Sequence, residues 1–305
     1  MKIHILLAFI LFQSCFLRDN YIIGIFKITT PGRAERILNG NVLDGNSVDI
    51  YINDQNIGFY QQVEFPEAGE YILRYNFKRQ ITNMDRLFHQ CDSLVALDLS
   101  HFDGSQVTFM DSTFRESKQL TVVDLSNFDA TKVTYMGGLF KDCTGLVSLD
   151  LSTFRTSSTL HDTRNMFESC TSLRSLDLRN FNTEGVTTMM YMFFNCKSLT
   201  YLDLSSFNTN NVKEMREMFN SCHSLTEIKL RNFNTNQVTR MESMFRNCQS
   251  LKTLDLSHFQ ISSKTDMKYM FSGCSSLKLL FLPQVASTAT TWGMFNGCNA
   301  QVIYK

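Results

Sequence analysis

Carboxylates recur in this 305-residue sequence at a spacing that sets them in a line. Asp98, Asp124, Asp150, Asp177, Asp203, then Lys229, then Asp255 follow one another at steps of 26 or 27 residues, beside a second series of Ser100, Ser126, Ser152, Arg179, Ser205, Arg231 and Ser257. Repulsion between neighbouring carboxylates about 5 Å apart in water is a little under 1 kcal/mol per pair, so the line must be solvated or offset by cations. Lys229, Arg179 and Arg231 stand where they can offset it. Such a column can keep a face soluble. Together with Tyr201 and Glu227 it can also bind a protein or a glycan, or loosely hold Ca2+. General acid–base chemistry is a poor fit, because it needs two carboxylates in unlike environments, whereas a column repeats one environment.

Cysteine recurs with the same period. Eight of the nine, Cys91, Cys143, Cys170, Cys196, Cys222, Cys248, Cys274 and Cys298, each stand three residues after a Phe, and Ser117 takes that place in one copy. An even number invites a disulfide framework. Stacked equivalents would lie within disulfide range, but with side chains parallel rather than facing, so buried free thiols are expected. The six His, at 4, 89, 101, 161, 223 and 258, recur at no metal-ligand spacing. With no Gly-rich phosphate loop or nucleophile elbow either, the reading is no enzyme, no metal and no cofactor. The balance of 29 Lys+Arg against 29 Asp+Glu gives no basic footprint for nucleic acid.

The elements that position these columns are copies of one unit. Phe88, Phe114, Phe140, Phe167, Phe193, Phe219, Phe245, Phe271 and Phe295 mark the copies. A unit this short buries its apolar side only against its neighbours, so the array reads as a solenoid. In the first half of a unit, Val186, Met189, Phe193 and Cys196 fall at i, i+3, i+7 and i+10. That stripe predicts a short helix, with Asn208-Thr209, Asn234-Thr235 and Asp129-Ala130-Thr131 supplying the caps. In the second half Leu202 and Leu204 flank Asp203, the alternation of a short strand. The expected fold is therefore an α/β repeat solenoid with one strand and one helix per coil and a parallel sheet on one face. The Phe series, a second series from Phe102 to Phe259, and the Met series at 110, 136, 189, 215, 241 and 267 are its candidate core.

The array is expected to span 81–288, with 289–305 as a C-terminal capping partial repeat over Leu279 and Phe281, unless these two form an apolar contact for a partner. Before it, 20–80 has no repeat but shows period-two stretches at Val48–Ile52 and Tyr71–Tyr75, with turn residues at Asp44-Gly45, Asn53-Asp54 and Pro66–Gly69. It reads as a small β-rich capping module. Residues 1–15 have a cation at Lys2, an apolar run from Ile5 to Phe12 and a small or polar end, the order of an export signal too short to span a bilayer. Ser14-Cys15 resembles the lipobox of bacterial lipoproteins in part, with Phe12 and Gln13 departing from it. Acylation of Cys15, plain cleavage and an uncleaved end all stay open.

The pattern Met-Phe-x-x-Cys-x-Ser-Leu-x-x-Leu-Asp-Leu-Ser-x-Phe-Asn-Thr-x-x-Val at 192–212, repeated with changes at 218–238, resembles the BspA-type leucine-rich repeats of microbial surface proteins, including the mycoplasma lipoprotein-like repeat family. The resemblance implies a leucine-rich-repeat-like solenoid, exported and used in adhesion. It leaves the ligand open, because the matching residues build the scaffold. Three uses follow: a surface binding or adhesion protein, an intracellular or secreted protein-interaction scaffold, and a structural component of a surface layer.

Overall fold

A computed structural model describes residues 20–39, 42–284 and 289–305. The segment Met1–Cys15, with its export and lipidation readings, lies outside the described residues. The chain begins with β1 (Tyr21–Ile28), apolar and buried at every residue but Lys27. After β2 (Ala34–Arg36), β3 (Val48–Ile52) turns into β4 (Gln55–Gly58) through Asn53 and Asp54, at φ 46° and 66°. A two-residue hairpin of the kind that follows strand twist needs that left-handed pair. β5 (Gln62–Glu64) returns antiparallel to β2, and β6 (Gly69–Phe77) lies between β1 and β3, antiparallel to both.

The free edge of β1 then takes β7 (Leu94–Asp98), the first strand of the repeat array, so one sheet runs β4-β3-β6-β1-β7-β8, with β8 at Val122–Asp124. Gly24 permits this approach: a Cβ there would sit 3.0 Å from the Phe26 ring and 3.3 Å from Leu94. The aromatic stacks of the array start in the same sheet. Tyr75 packs edge-on against Phe88 at 5.4 Å, and Phe77 against Phe102 at 4.9 Å.

Each later coil contributes one short strand: β9 (Ser148–Asp150), β10 (Ser175–Asp177), β11 (Tyr201–Asp203), β12 (Glu227–Lys229), β13 (Thr253–Asp255) and β14 (Leu279–Leu282), followed by β15 (Gln301–Tyr304). Parallel pairing joins β7 to β8, β9 to β10, β11 to β12, β13 to β14, and β14 to β15. A second ladder of single parallel bridges runs along another side of the array, from Asn83 through Phe109, Tyr135, Asp162, Thr188, Glu214, Arg240 and Asp266 to Thr290.

The expected helix in each coil is absent from the described residues: the array is a β-solenoid, and the α/β reading is corrected. In its place stand consecutive turns whose amides bond across coils. The N–H groups of Met84, Arg86, Phe88 and Gln90 donate to the carbonyls of Phe109, Asp111, Thr113 and Arg115 at 2.8 to 2.9 Å, while Leu87 and His89 donate three residues back. Two residues per coil, such as Arg86 and Gln90 at φ 57°, or Tyr191 and Asn195 at 59° and 62°, take the left-handed region and interrupt right-handed winding. A non-glycine residue there costs roughly 1–2 kcal/mol. The cross-coil hydrogen bonds it permits, at about 0.5–1.5 kcal/mol each, repeat along the whole stack. A chain of three-residue turns keeps the i, i+3, i+7 stripe inward as a helix would, and the Val, Thr, Phe, Cys and Asn of this half are weak helix formers.

The expected helix caps have another role. Asn208, Asn234 and Asp129 accept the amide two residues on, closing local turns. Thr183, Thr209 and Thr235 are buried, donate to the backbone carbonyls of Asn208, Asn234 and Gln260 in the next coil, and accept the amides of the same three residues.

Inside, Phe88 to Phe295 stack ring over ring with centroids 5.1 to 6.2 Å apart. Phe102 to Phe259 form a second stack at 5.8 to 6.5 Å. Each buried ring is worth about 1.5–3 kcal/mol, and ring pairs add about 0.5–1.5 kcal/mol. The eight described cysteines are free and buried. From Cys143 to Cys274 each thiol donates to the carbonyl of the Phe one coil back, at 3.0 to 3.1 Å. Ser117 makes the same bond to Phe88 at 2.6 Å, which is why Ser can stand in the cysteine series. Burial pushes the Cys222 and Cys274 thiols up to about 12, so they stay protonated and able to donate.

Candidate binding site on the strand face

The Asp that ends each strand is first a structural group. Asp98, Asp124, Asp150, Asp177, Asp203 and Asp255 each accept, through Oδ1, the amide two residues on, at 2.7 to 3.1 Å. This turn closes the three-residue strand and starts the bend toward the buried Phe. One carboxylate oxygen is occupied in this way, and what the other meets differs from coil to coil.

The strand face does not display all six alike. Asp98 is only 5% exposed, because β1 lies beside it and His101, stacked on Tyr21, reaches within 4.0 Å of its carboxylate. It drops out of any accessible site. Asp124 and Asp177 are half-buried, while Asp150, Asp203 and Asp255 are exposed, as are Tyr201, Glu227, Arg179 and Arg231. Five of these residues, Asp150, Asp177, Asp203, Arg179 and Tyr201, converge on a shallow hollow of about 760 Å³ that also uncovers part of Leu176. β9 and β10 form one wall of it, in register from Ser148 opposite Ser175 to Asp150 opposite Asp177, and β11 the other. Asp255, Glu227 and Arg231 lie outside this hollow, and Asp124 stands one coil before it.

Charge along the face is unevenly compensated. Arg179 pairs with Asp177, and its hydrogen bond holds that carboxyl below its ordinary value. The Ser205 hydrogen bond does the same for Asp203, with help from the Tyr201 hydroxyl, which donates at 3.1 Å, and from Lys229, 3.6 Å away. Lys229 also lies 5.4 Å from the Tyr201 ring centroid. Asp255 is lowered by Ser257 and has Lys305 at 3.7 Å. Asp124 and Asp150 have no ion pair among the described residues, and within the hollow only the charge of Arg179 acts on Asp150 from nearby.

At the C-terminal end β15 pairs alongside β14, and Lys305 places its ammonium 4.0 Å from the Phe281 ring centroid. The tail therefore extends the sheet by one strand and closes over Phe281 with a cation, so part of the unusual apolar surface at Leu279 and Phe281 is taken up within the chain.

A second hollow, of about 680 Å³, went unread in the sequence. It lies on the bridge ladder, around Phe109 and Tyr135, and opens where Gly137 and Gly138 remove two side chains. The signal was available as a Gly-Gly pair at a position that other units fill, and as aromatic residues 26 apart at the position preceding the Met series.

Among solved structures, a leucine-rich repeat protein from Bacteroides ovatus ATCC 8483 aligns with 66% of this chain at 19% identity and a TM-score of 0.33. The chain spans 64% of that protein's length. No curated protein matches. The family described as "Mycoplasma protein of unknown function, DUF285" matches twice, over residues 59–176 and 161–284. Together the matches take in the strands from β5 to β14, with their turn ladders and Phe stacks, well over half of the chain, and the protein therefore belongs to this family.

Proposed function

We propose that this chain is a non-enzymatic binding protein whose strand face takes a protein segment rich in Lys and Arg. The observation that carries the reading is the hollow at Asp150, Asp177, Asp203, Arg179 and Tyr201, in which an unpaired carboxylate, a tyrosine and the partly uncovered Leu176 lie on adjacent strands. An acidic groove with an apolar floor favours a cationic partner and speeds its encounter. Asp177 and Asp203, the two carboxyls of the hollow that bond to a neighbouring side chain, are lowered in the same direction rather than split into an acid and a base, which supports binding over catalysis.

The test is calorimetry of the protein with an arginine- and lysine-rich peptide set and a matched acidic set. The proposal expects binding of the basic set only, weakening as salt rises, and a loss of at least about tenfold in the double variant Asp150→Ala, Asp203→Ala. Equal binding of both sets, or an unchanged double variant, would sink it. Display at a cell surface and adhesion there extend this proposal. They rest on the BspA-type resemblance and on the character of residues 1–15, and an intact mass of protein from the membrane fraction tests them: a chain starting at an acylated Cys15 supports surface anchoring, and a chain retaining Met1 opposes it.

A further inference from the structure

The bridge ladder has its own unexplained feature. Its nine bridge residues are polar except for Phe109 and Tyr135, which stand on adjacent coils, 39% and 38% exposed. Their rings are nearly parallel, at 3° with centroids 5.7 Å apart, and the pair ends against the short side chains Asn83 and Asp162. Their stacking helps to join the two coils, yet more than a third of each side chain stays open to solvent, apolar surface that the stacking itself does not use.

Beside Tyr135 the wall of the coil is missing. At the two positions held by Gly137 and Gly138, the neighbouring coils carry Asp111 and Ser112 on one side and Arg164 and Asn165 on the other. Backbone geometry does not demand Gly138, because Ser112 and Asn165 take the same left-handed conformation, at φ 55° and 58° against 63°. What the glycines supply is space. Gly137 also brings its N–H to Asp111 Oδ1 at 2.6 Å, an approach a Cβ would crowd at 3.0 Å.

The polar rim of the hollow is close to neutral. Arg164 is taken by Asp162, Arg115 by Glu116 and Lys141 by Glu168. Asp85, Asp111 and Arg86 remain without an ion pair among the described residues. Asp85 and Asp111 each use Oδ1 to accept the amide at the equivalent position in the next coil, leaving Oδ2 as an acceptor. Arg164, with its side chain 54% exposed, supplies donors opposite. The hollow runs on into a smaller one of about 320 Å³ that shares Asp85, Arg86, Asp111 and Ser112. An elongated shallow trough with an aromatic side, carboxylate acceptors, guanidinium donors and little net charge matches a neutral polyhydroxylated chain. Such a ligand lays C–H faces on rings and bridges carboxylate and guanidinium with its hydroxyls, and it needs no charge of its own.

We propose that the bridge-ladder trough of Phe109, Tyr135, Gly137, Gly138, Asp111 and Arg164 is a binding site for a neutral oligosaccharide, separate from the strand face. The test is saturation-transfer NMR and calorimetry with maltohexaose, cellohexaose, mannohexaose and chitohexaose as probes. One of these is expected to bind with transfer strongest at its axial ring protons, and to lose at least about tenfold in affinity in Tyr135→Ala and in Phe109→Ala. Gly138→Asn keeps the backbone conformation that Asn165 already adopts and refills the space. A Cβ there meets Ser112 Oγ at 3.2 Å, a hydroxyl that can turn aside, so the variant is expected to abolish binding with only a small drop in thermal midpoint, and loss of binding is then not loss of fold. Asp150→Ala with Asp203→Ala, on the strand face, is expected to leave saccharide binding intact. No binding of any of the four probes, or binding indifferent to Tyr135→Ala and Gly138→Asn, overturns the proposal. Capture of the basic peptides by this trough in place of the saccharides overturns the ligand class.

Discussion

The strand side and the turn side of each coil solve different problems. On the turn side, alternate amides bond to the next coil, one buried Phe stacks on the next, and from Cys143 to Cys274 a thiol ties each coil to the one before. On the strand side, only three residues per coil pair in most strands, and the pairing joins β9 to β10 and β11 to β12 without joining β10 to β11. Cohesion therefore resides mainly on the turn side, while the strand side is free to vary what it displays: Lys229 in place of Asp, Arg179 and Arg231 in place of Ser. A repeat protein can change its recognition face without changing its stability when the two are kept on different sides of the coil.

The largest effect that would break this comparison lies in the Phe stack. Phe193→Ala removes a fully buried ring that stacks at 5.5 Å on Phe167 and 5.6 Å on Phe219. A loss of about 3–5 kcal/mol is expected in urea unfolding. A loss under about 1 kcal/mol would mean that the turn side is not the load-carrying one.

Next in size is the thiol ladder. Cys196→Ala removes one of the two donors to the Phe167 carbonyl and leaves the Cys170 amide as the other, for an expected cost of about 0.5–1.5 kcal/mol, whereas Cys196→Ser keeps a donor of the kind Ser117 already provides and is expected to cost less. The order Ser milder than Ala, read from urea midpoints, separates a hydrogen-bonding role from simple packing. In the same protein the buried thiols should resist alkylation when folded and react when denatured, since burial keeps them protonated.

The third test contrasts the titration of the two sides. Desolvation, then the charge of Asp85, pushes Asp111 up to about 6. A folded value above the unfolded one means its protonated form favours folding: the contribution is fully present below about 4 and is lost as pH rises through about 6. Asp177, Asp203 and Asp255 are lowered instead, so what they contribute is present above about 4 and is lost only as pH falls below it. Between pH 7 and pH 5 the bridge side gains stability while these strand-side groups are silent. Asp111→Asn should flatten that segment of the stability–pH curve and raise stability at pH 7 by about 1 kcal/mol, a modest figure because the carboxyl is partly open to water. A curve unchanged by the substitution would remove Asp111 as its source.

The period, the buried Phe and Met series and the free thiols were legible because they depend only on which residues recur. The half-coil between them was misread, since an inward stripe at i, i+3 and i+7 is common to a helix and to a run of turns. The discriminating residues are the left-handed ones: Ser112, Gly138, Asn165, Asn195, Asn247 and Gly273 advertise them, but Arg86, Glu116, Tyr191 and Tyr269 in equivalent places hide the pattern. The Asp series was legible as a column, while its local duty was not, although Asp-Leu-Ser repeated at strand ends is the spacing of a carboxylate capping the amide two residues on. Asp98 shows the remaining limit. Nothing in its own repeat says that β1, some 70 residues earlier in the chain, comes to lie against it.

The smallest expected effect sharpens the comparison most. Tyr201→Ala removes a side chain 41% exposed on the strand face, whose hydroxyl bonds Asp203 and whose ring lies near Lys229. Contacts of this exposed kind contribute little, so stability should shift by less than about 0.5 kcal/mol, while basic-peptide binding falls several-fold. Both readings can be made on one preparation, by urea unfolding and by calorimetry. If stability drops as far as binding does, Tyr201 is part of what holds β11 to its neighbours, and the strand side is scaffold as well as display. If binding drops alone, the division of labour between the two sides holds at the residue where it is hardest to keep, in the middle of the hollow and on a strand only three residues long.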